Sequence, residues 1–117
     1  MAFAAPSLKG RALRLLSQRE HSRAELERKL KKYEEEPGSL AAALDELAAK
    51  DFISEARVVQ SVLHQRAPRL GALRVRQELQ HKGIDLARLR SETARHAGRL
   101  EQAAVLVVNE WLARLEL

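Results

Sequence analysis

Residues 12–30 read A-L-R-L-L-S-Q-R-E-H-S-R-A-E-L-E-R-K-L, and the middle of that stretch decides what kind of structure the chain forms. Ser22 followed by Glu25 is a helix-starting capping box. The serine hydroxyl accepts one backbone N–H of the new helix, and the glutamate reaches back to the N–H of the serine. Downstream, Leu26, Leu30 and Tyr33 fall on one helical face and are expected to be its buried row. Upstream, Leu8, Ala12, Leu15 and Leu16 mark the inner side of an earlier helix over about residues 8–18, begun behind Ser7. Two helices joined at a polar corner open an all-α chain.

The same grammar runs on in both directions. Glu34-Glu35-Glu36-Pro37-Gly38 breaks the second helix, because proline cannot continue it and glycine permits a sharp turn. Ser39 is expected to cap a third helix with Leu40, Leu44, Leu47 and Ala48 inward, and Phe52 and Ile53 close the unit. Ser54 caps a fourth helix over about 55–67 with Val58, Val59, Val62 and Leu63 inside. Pro68 and Gly71 bracket a turn, and a helix over about 72–82 follows with Val75 and Leu79 inward. Gly83 ends it in the left-handed conformation that glycine adopts freely. Asp85 caps a sixth helix to about Ala97. Beyond Gly98 comes a last amphipathic segment with Val105, Leu106, Val108, Trp111 and Leu112.

The pattern repeats. A shift of 47 residues lays Leu16-Ser17-Gln18-Arg19 on Leu63-His64-Gln65-Arg66, and a shift of 49 lays Ser22, Leu26 and Leu30 on Gly71, Val75 and Leu79. Periods of this size indicate stacked helical units that bury apolar faces against their neighbours. The expected architecture is an elongated array of tandem three-helix repeats. Residues 7–53 form the first, 54–97 the second, and 98–117 a partial third consisting of its first helix. The stripe of Val105, Val108, Trp111 and Leu112 is expected to pack back on the second repeat or to drive self-association, since such stripes seldom stay exposed.

Composition agrees with helices: aromatics are 3% of the 117 residues and charged residues 32%, and the apolar content is largely Leu, Ala and Val. There is no cysteine, which removes disulfides and thiolate metal sites. Residues 1–6 lack the charged start and apolar run of a secretory signal, and no apolar run is long enough to span a bilayer. No membrane association and a cytoplasmic location are expected.

Enzymatic readings fail on the same residues. His21, His64, His81 and His96 form no ligand spacing, and no phosphate-binding loop, nucleophile elbow or dinucleotide fingerprint is present. The acidic run Glu34–Glu36 reads as solvated surface. Neither catalysis, a metal nor a cofactor is expected.

Charge is unevenly spread. Residues 1–56 hold ten Lys/Arg and ten Asp/Glu, residues 57–99 hold ten against three for a net of +7, and residues 100–117 carry −2. Such a basic middle attracts polyanions or an acidic protein surface. Its densest part is residues 66–82, R-A-P-R-L-G-A-L-R-V-R-Q-E-L-Q-H-K. With Val75 and Leu79 inward, Arg74, Gln77 and His81 form one outward row, and Arg76 and Gln80 a second beside it. Arg66 and Arg69 come from the preceding helix end and turn. The candidate site is Arg66, Arg69, Arg74, Arg76, Gln77, His81 and Lys82, acting as phosphate or groove contacts, because guanidinium forks suit both phosphates and carboxylates. Arg11 and Arg14, in the charge-balanced first repeat, are expected to matter much less.

Three segments in order resemble the RecX family of recombinase regulators: residues 12–30, L-A-A-K-D-F-I-S-E-A-R at 47–57, and G-A-L-R-V-R-Q-E-L-Q-H-K-G-I at 71–84. The resemblance spans about residues 8–97. The chain departs from the family's usual pattern at Arg69-Leu70-Gly71, at Ser54-Glu55 and at Val58. The resemblance implies tandem three-helix repeats and a partner, the RecA recombinase filament, in whose groove such proteins lodge. It implies a regulator that restrains recombinase activity in recombination, DNA repair and the SOS response. Two other readings of the residues stand beside it: a direct binding module for single- or double-stranded DNA, and a truncated structural protein that acts through self-association.

Overall fold

The computed structural model describes residues 6–66 and 71–95, together with Glu110. Among these residues it holds six α-helices, a 3-10 turn and no strand, so the chain is all-α. It divides into two compact units, residues 1–54 and 55–117.

In the first unit, α1 (Leu8–Gln18) starts where the Ser7 hydroxyl accepts the N–H of Gly10 at 3.0 Å. α2 (Arg23–Leu30) carries the expected capping box with both bonds at 3.1 Å. α3 (Ser39–Ala49) closes over them. The core between the three is Ala12, Leu26, Leu30, Leu40, Leu44, Leu47 and Ile53, with Leu8, Leu13, Leu15 and Leu16 half-buried at its margin. Truncating such a leucine to alanine typically costs about 2–5 kcal/mol, because the cavity only partly collapses.

Four local expectations for this unit are corrected. Tyr33 is not in the buried row: α2 tightens into the 3-10 turn Lys31–Tyr33, which rotates the ring outward to 39% exposure. Ser39 is not the cap of α3 but its first residue, and its hydroxyl donates to the Glu36 carbonyl. The cap position is Gly38, at φ 88°, and the acceptor is supplied from a distance by Glu34, whose Oε2 takes the N–H of Leu40 at 2.9 Å. That bond, joined by Lys31, holds the Glu34 carboxyl below its ordinary range. Ala48 is exposed although Leu47 beside it is buried, because the inward stripe of α3 runs through Leu40, Leu44 and Leu47 and leaves position 48 at its outer edge. Phe52 is 47% exposed while Ile53 is buried.

The reason for the last lies in how α3 ends. Asp51 is left-handed at φ 66°, the N–H of Phe52 reaches back to the Leu47 carbonyl, and the N–H of Asp51 reaches that of Ala48. This Schellman arrangement satisfies the last carbonyls and turns the chain so that Ile53 points inward.

In the second unit, α4 (Glu55–Arg66), α5 (Ala72–His81) and α6 (Leu86–Arg95) enclose Val58, Val59, Val62, Leu63, Val75, Leu79, Ile84, Leu86 and Leu89. The inward residues expected of α4 and α5 are all in this core. Asp85 caps α6 as expected, its Oδ1 accepting the N–H of Arg88 at 3.0 Å. Arg88 in turn pairs with Glu55 at 3.1 Å, tying α6 to the start of α4. The partial third repeat, with Val105, Leu106, Val108, Trp111 and Leu112, lies outside the described residues. No helix among the described residues is long and apolar enough to cross a membrane.

Candidate partner-binding face

Both ends of α5 are fixed by glycine. Gly71 occupies the N-cap in an extended conformation and supplies no side-chain acceptor, while its carbonyl takes the N–H groups of Arg74 and Val75. At the other end Gly83 sits at φ 77°, and the N–H of Ile84 returns to the Leu79 carbonyl at 3.1 Å. That return bond places Ile84 in the core beside Leu79. With Val75 and Leu79 buried, the rotation of α5 is set and its opposite side must face solvent.

Arg74, Gln77, Gln80 and His81 are exposed on α5, and Arg76 and the C-cap residue Lys82 are half-buried. Arg76, His81 and Lys82 each engage another group of the protein. Glu78 lies on the same helix, half-buried. Of the seven residues singled out in the sequence, the structure therefore assembles five on one helix and its cap. Arg66 ends α4 with its side chain outside the description, and Arg69 lies outside the described residues.

Sequence reasoning missed one member of this surface. Leu73 is 68% exposed in the first turn of α5, next to Arg74 and one helical turn from Gln77. The signal was available: position 73 is two residues from Val75 and so falls off the buried row. The face is thus mixed. It offers a guanidinium fork, amide donors and acceptors, and one large apolar side chain, which together suit a groove in a protein as much as a phosphate backbone. It has no nucleophile paired with a base. Among the described residues no cluster of three or more His, Asp or Glu side chains is placed to hold a metal ion.

Comparison with known proteins gives a consistent result. Residues 9–47 match the family model described as RecX, first three-helix domain. The regulatory protein RecX of Leptothrix cholodnii is 58% identical over 77 residues, covering 66% of this chain and 49% of that protein. The Herminiimonas arsenicoxydans regulatory protein RecX is 51% identical over 85 residues, 73% of this chain and 56% of the relative. The match to the Herbaspirillum seropedicae regulatory protein RecX is 42% identical over 110 residues, 92% of this chain and 70% of the relative. The chain thus spans about half the length of the first two relatives and more of the third. No solved structure matches significantly. The three motifs, the helical units and these matches agree: the chain belongs to the RecX family of regulatory proteins.

Proposed function

We propose that this protein acts by binding rather than by catalysis, docking on RecA–DNA filaments and restraining recombinase activity in recombination, DNA repair and the SOS response. Two three-helix repeats, residues 7–53 and 54–97, form its frame, with residues 98–117 entering a third, and it works in the cytoplasm where filament and DNA are found. The observation that supports the reading most directly is the exposed row Arg74, Gln77 and His81 on α5. It lies within the segment of net charge +7 and within one of the three family motifs. Arg76 and Lys82 flank the row, and Arg66 and Arg69 extend it along the sequence.

The test measures binding to DNA alone, to recombinase alone and to the assembled filament. Filament binding should exceed both others, and Arg74→Glu with Arg76→Glu should abolish most of it with the helical signal unchanged. If phosphates are the contacts, the dependence of log affinity on log salt should flatten by about one for each contact removed. Equal binding to DNA alone would favour a direct DNA-binding module, and filament binding untouched by both reversals would sink the assignment of this face.

A further inference from the structure

The first unit holds a second basic site, hidden in the sequence by an equal number of acids. Residues 1–56 contain ten Lys and Arg. Five of them meet carboxylates. Lys9 and Lys50 share Glu46 at 2.6 and 3.2 Å, Arg19 meets Glu25 at 2.9 Å, Arg23 meets Asp45 and Glu27, and Lys31 meets Glu34 at 3.0 Å. The remaining five are Arg11, Arg14, Lys29 and Lys32, together with Arg28, which engages another group of the protein. All five line one cavity of about 410 Å³ between α1 and the end of α2, and among the described residues no acidic side chain lines it. Folding has gathered half of the cations of a neutral stretch around one concavity.

The cations are positioned rather than loose. Arg11 and Arg14 are one turn apart on α1, and Arg28 and Lys32 one turn apart on α2 and its 3-10 extension, so the cavity lies between two charged ridges. Arg11 stacks its guanidinium 3.7 Å from the centre of the Tyr33 ring, with the Lys32 ammonium 5.2 Å away. Lys29 donates to Nε2 of His21 at 3.2 Å, while the other ring nitrogen lies 3.0 Å from the Arg19 carbonyl. Burial pushes His21 below the usual imidazole range. A neutral imidazole anchors the ammonium without cancelling its charge. None of Arg11, Arg14, Lys29 and Lys32 makes an ion pair among the described residues. Cations gathered around one cavity repel one another, and an anion between them relieves that repulsion.

We propose that this cradle binds the backbone phosphates of a single-stranded nucleic acid, with a base seated against the exposed part of Tyr33. A phosphate presents several oxygens that two guanidinium forks can share. A chain of phosphates also supplies a repeated charge that two basic ridges can share, which a lone carboxylate side chain does not. Sites for single strands combine a cationic groove with an aromatic platform, and Tyr33 is the aromatic residue that the described lining supplies. The site is independent of the α5 face and does not rest on the filament reading.

Fluorescence anisotropy of the full chain with a short labelled oligothymidine strand, over a salt series, tests it. Arg14→Ala with Lys32→Ala should flatten the salt dependence by about 0.7 for each phosphate contact removed. Lys9→Ala with Lys50→Ala removes the same formal charge at the two lysines that share Glu46 and should leave the slope as it was. Tyr33→Leu should weaken binding about tenfold. Circular dichroism of each variant checks the fold, since both altered cations of the cradle are exposed. An equal effect of the two double substitutions would reduce the site to net charge. No effect of Arg14→Ala with Lys32→Ala, or equal binding and equal sensitivity for a duplex of the same length, would overturn the proposal.

Discussion

Ser22→Ala should destabilise the first unit by about 2 kcal/mol, at the upper end of the range for loss of an N-cap. The geometry sets that size. Ser22 is fully buried and Glu25 is 7% exposed, and the Ser22 hydroxyl is the acceptor for the Glu25 N–H at 3.1 Å. Where a cap is exposed, water replaces the lost hydroxyl and the cost is small. Here the N–H is left buried without an acceptor, which costs about 1–3 kcal/mol. The reciprocal bond, Ser22 N–H to Glu25 Oε1, uses the backbone of residue 22 and survives the change. Ser22→Gly is informative for the same reason: glycine is a tolerated cap where water can enter, so in this buried corner it should bring little relief relative to alanine. Urea unfolding of the full chain, with hydrogen exchange of the Glu25 amide as a local probe, reads both effects. A loss below about 0.5 kcal/mol with unchanged m, or full amide protection in Ser22→Ala, would refute the claim that burial makes this cap costly.

Two further outcomes follow from the structure. His21 is buried and held neutral, with its folded pKa below the unfolded value of about 6.5. The unfolded chain therefore takes up the proton first, and stability should fall as pH drops through 6.5 toward the lowered folded value, then level off; a thermal melt series from pH 8 to 5 that is equally steep in His21→Gln would contradict this. Gly83 at φ 77° ends α5, and Gly83→Ala should cost about 1–2 kcal/mol through left-handed strain, read by chemical denaturation. A neutral result there would mean that Ile84 holds the turn without help from the glycine.

Most of the helices were legible because their signals are local. Ser7, Ser22 with Glu25, Asp85 and Gly83 act within three or four residues of themselves, and sequence alone fixes what such groups can reach. The misreadings share a different origin. The acceptor that opens α3 comes from Glu34, on the far side of a turn whose shape depends on Gly38 at positive φ. Ser39 looked like the cap because it has the right chemistry in almost the right place. Tyr33 looked buried because the helical period was extended through a segment that tightens to 3-10 geometry and turns the ring out.

The candidate surfaces divide along the same line. The α5 face announces itself because its cations exceed its acids within a single stretch, so a running count finds Arg74, Arg76 and Lys82. The cradle in the first unit escapes any running count, since its cations are interleaved with glutamates along the chain. Its visibility depends on where those glutamates go. Glu46 is drawn to Lys9 and Lys50, which hold its carboxyl below the ordinary range, and Asp45 to Arg23. Both acids are on α3, which carries no residue of the cavity lining. What the sequence did contain was the spacing: Arg11 with Arg14, and Arg28 with Lys32, are each one helical turn apart, while Glu27 falls on another side of α2. Segment net charge is a sum that discards direction, whereas an anion responds to the local field. A protein of this kind is better read by projecting charge onto each helical face, and by that measure the first unit is as basic toward one side as α5 is toward its own.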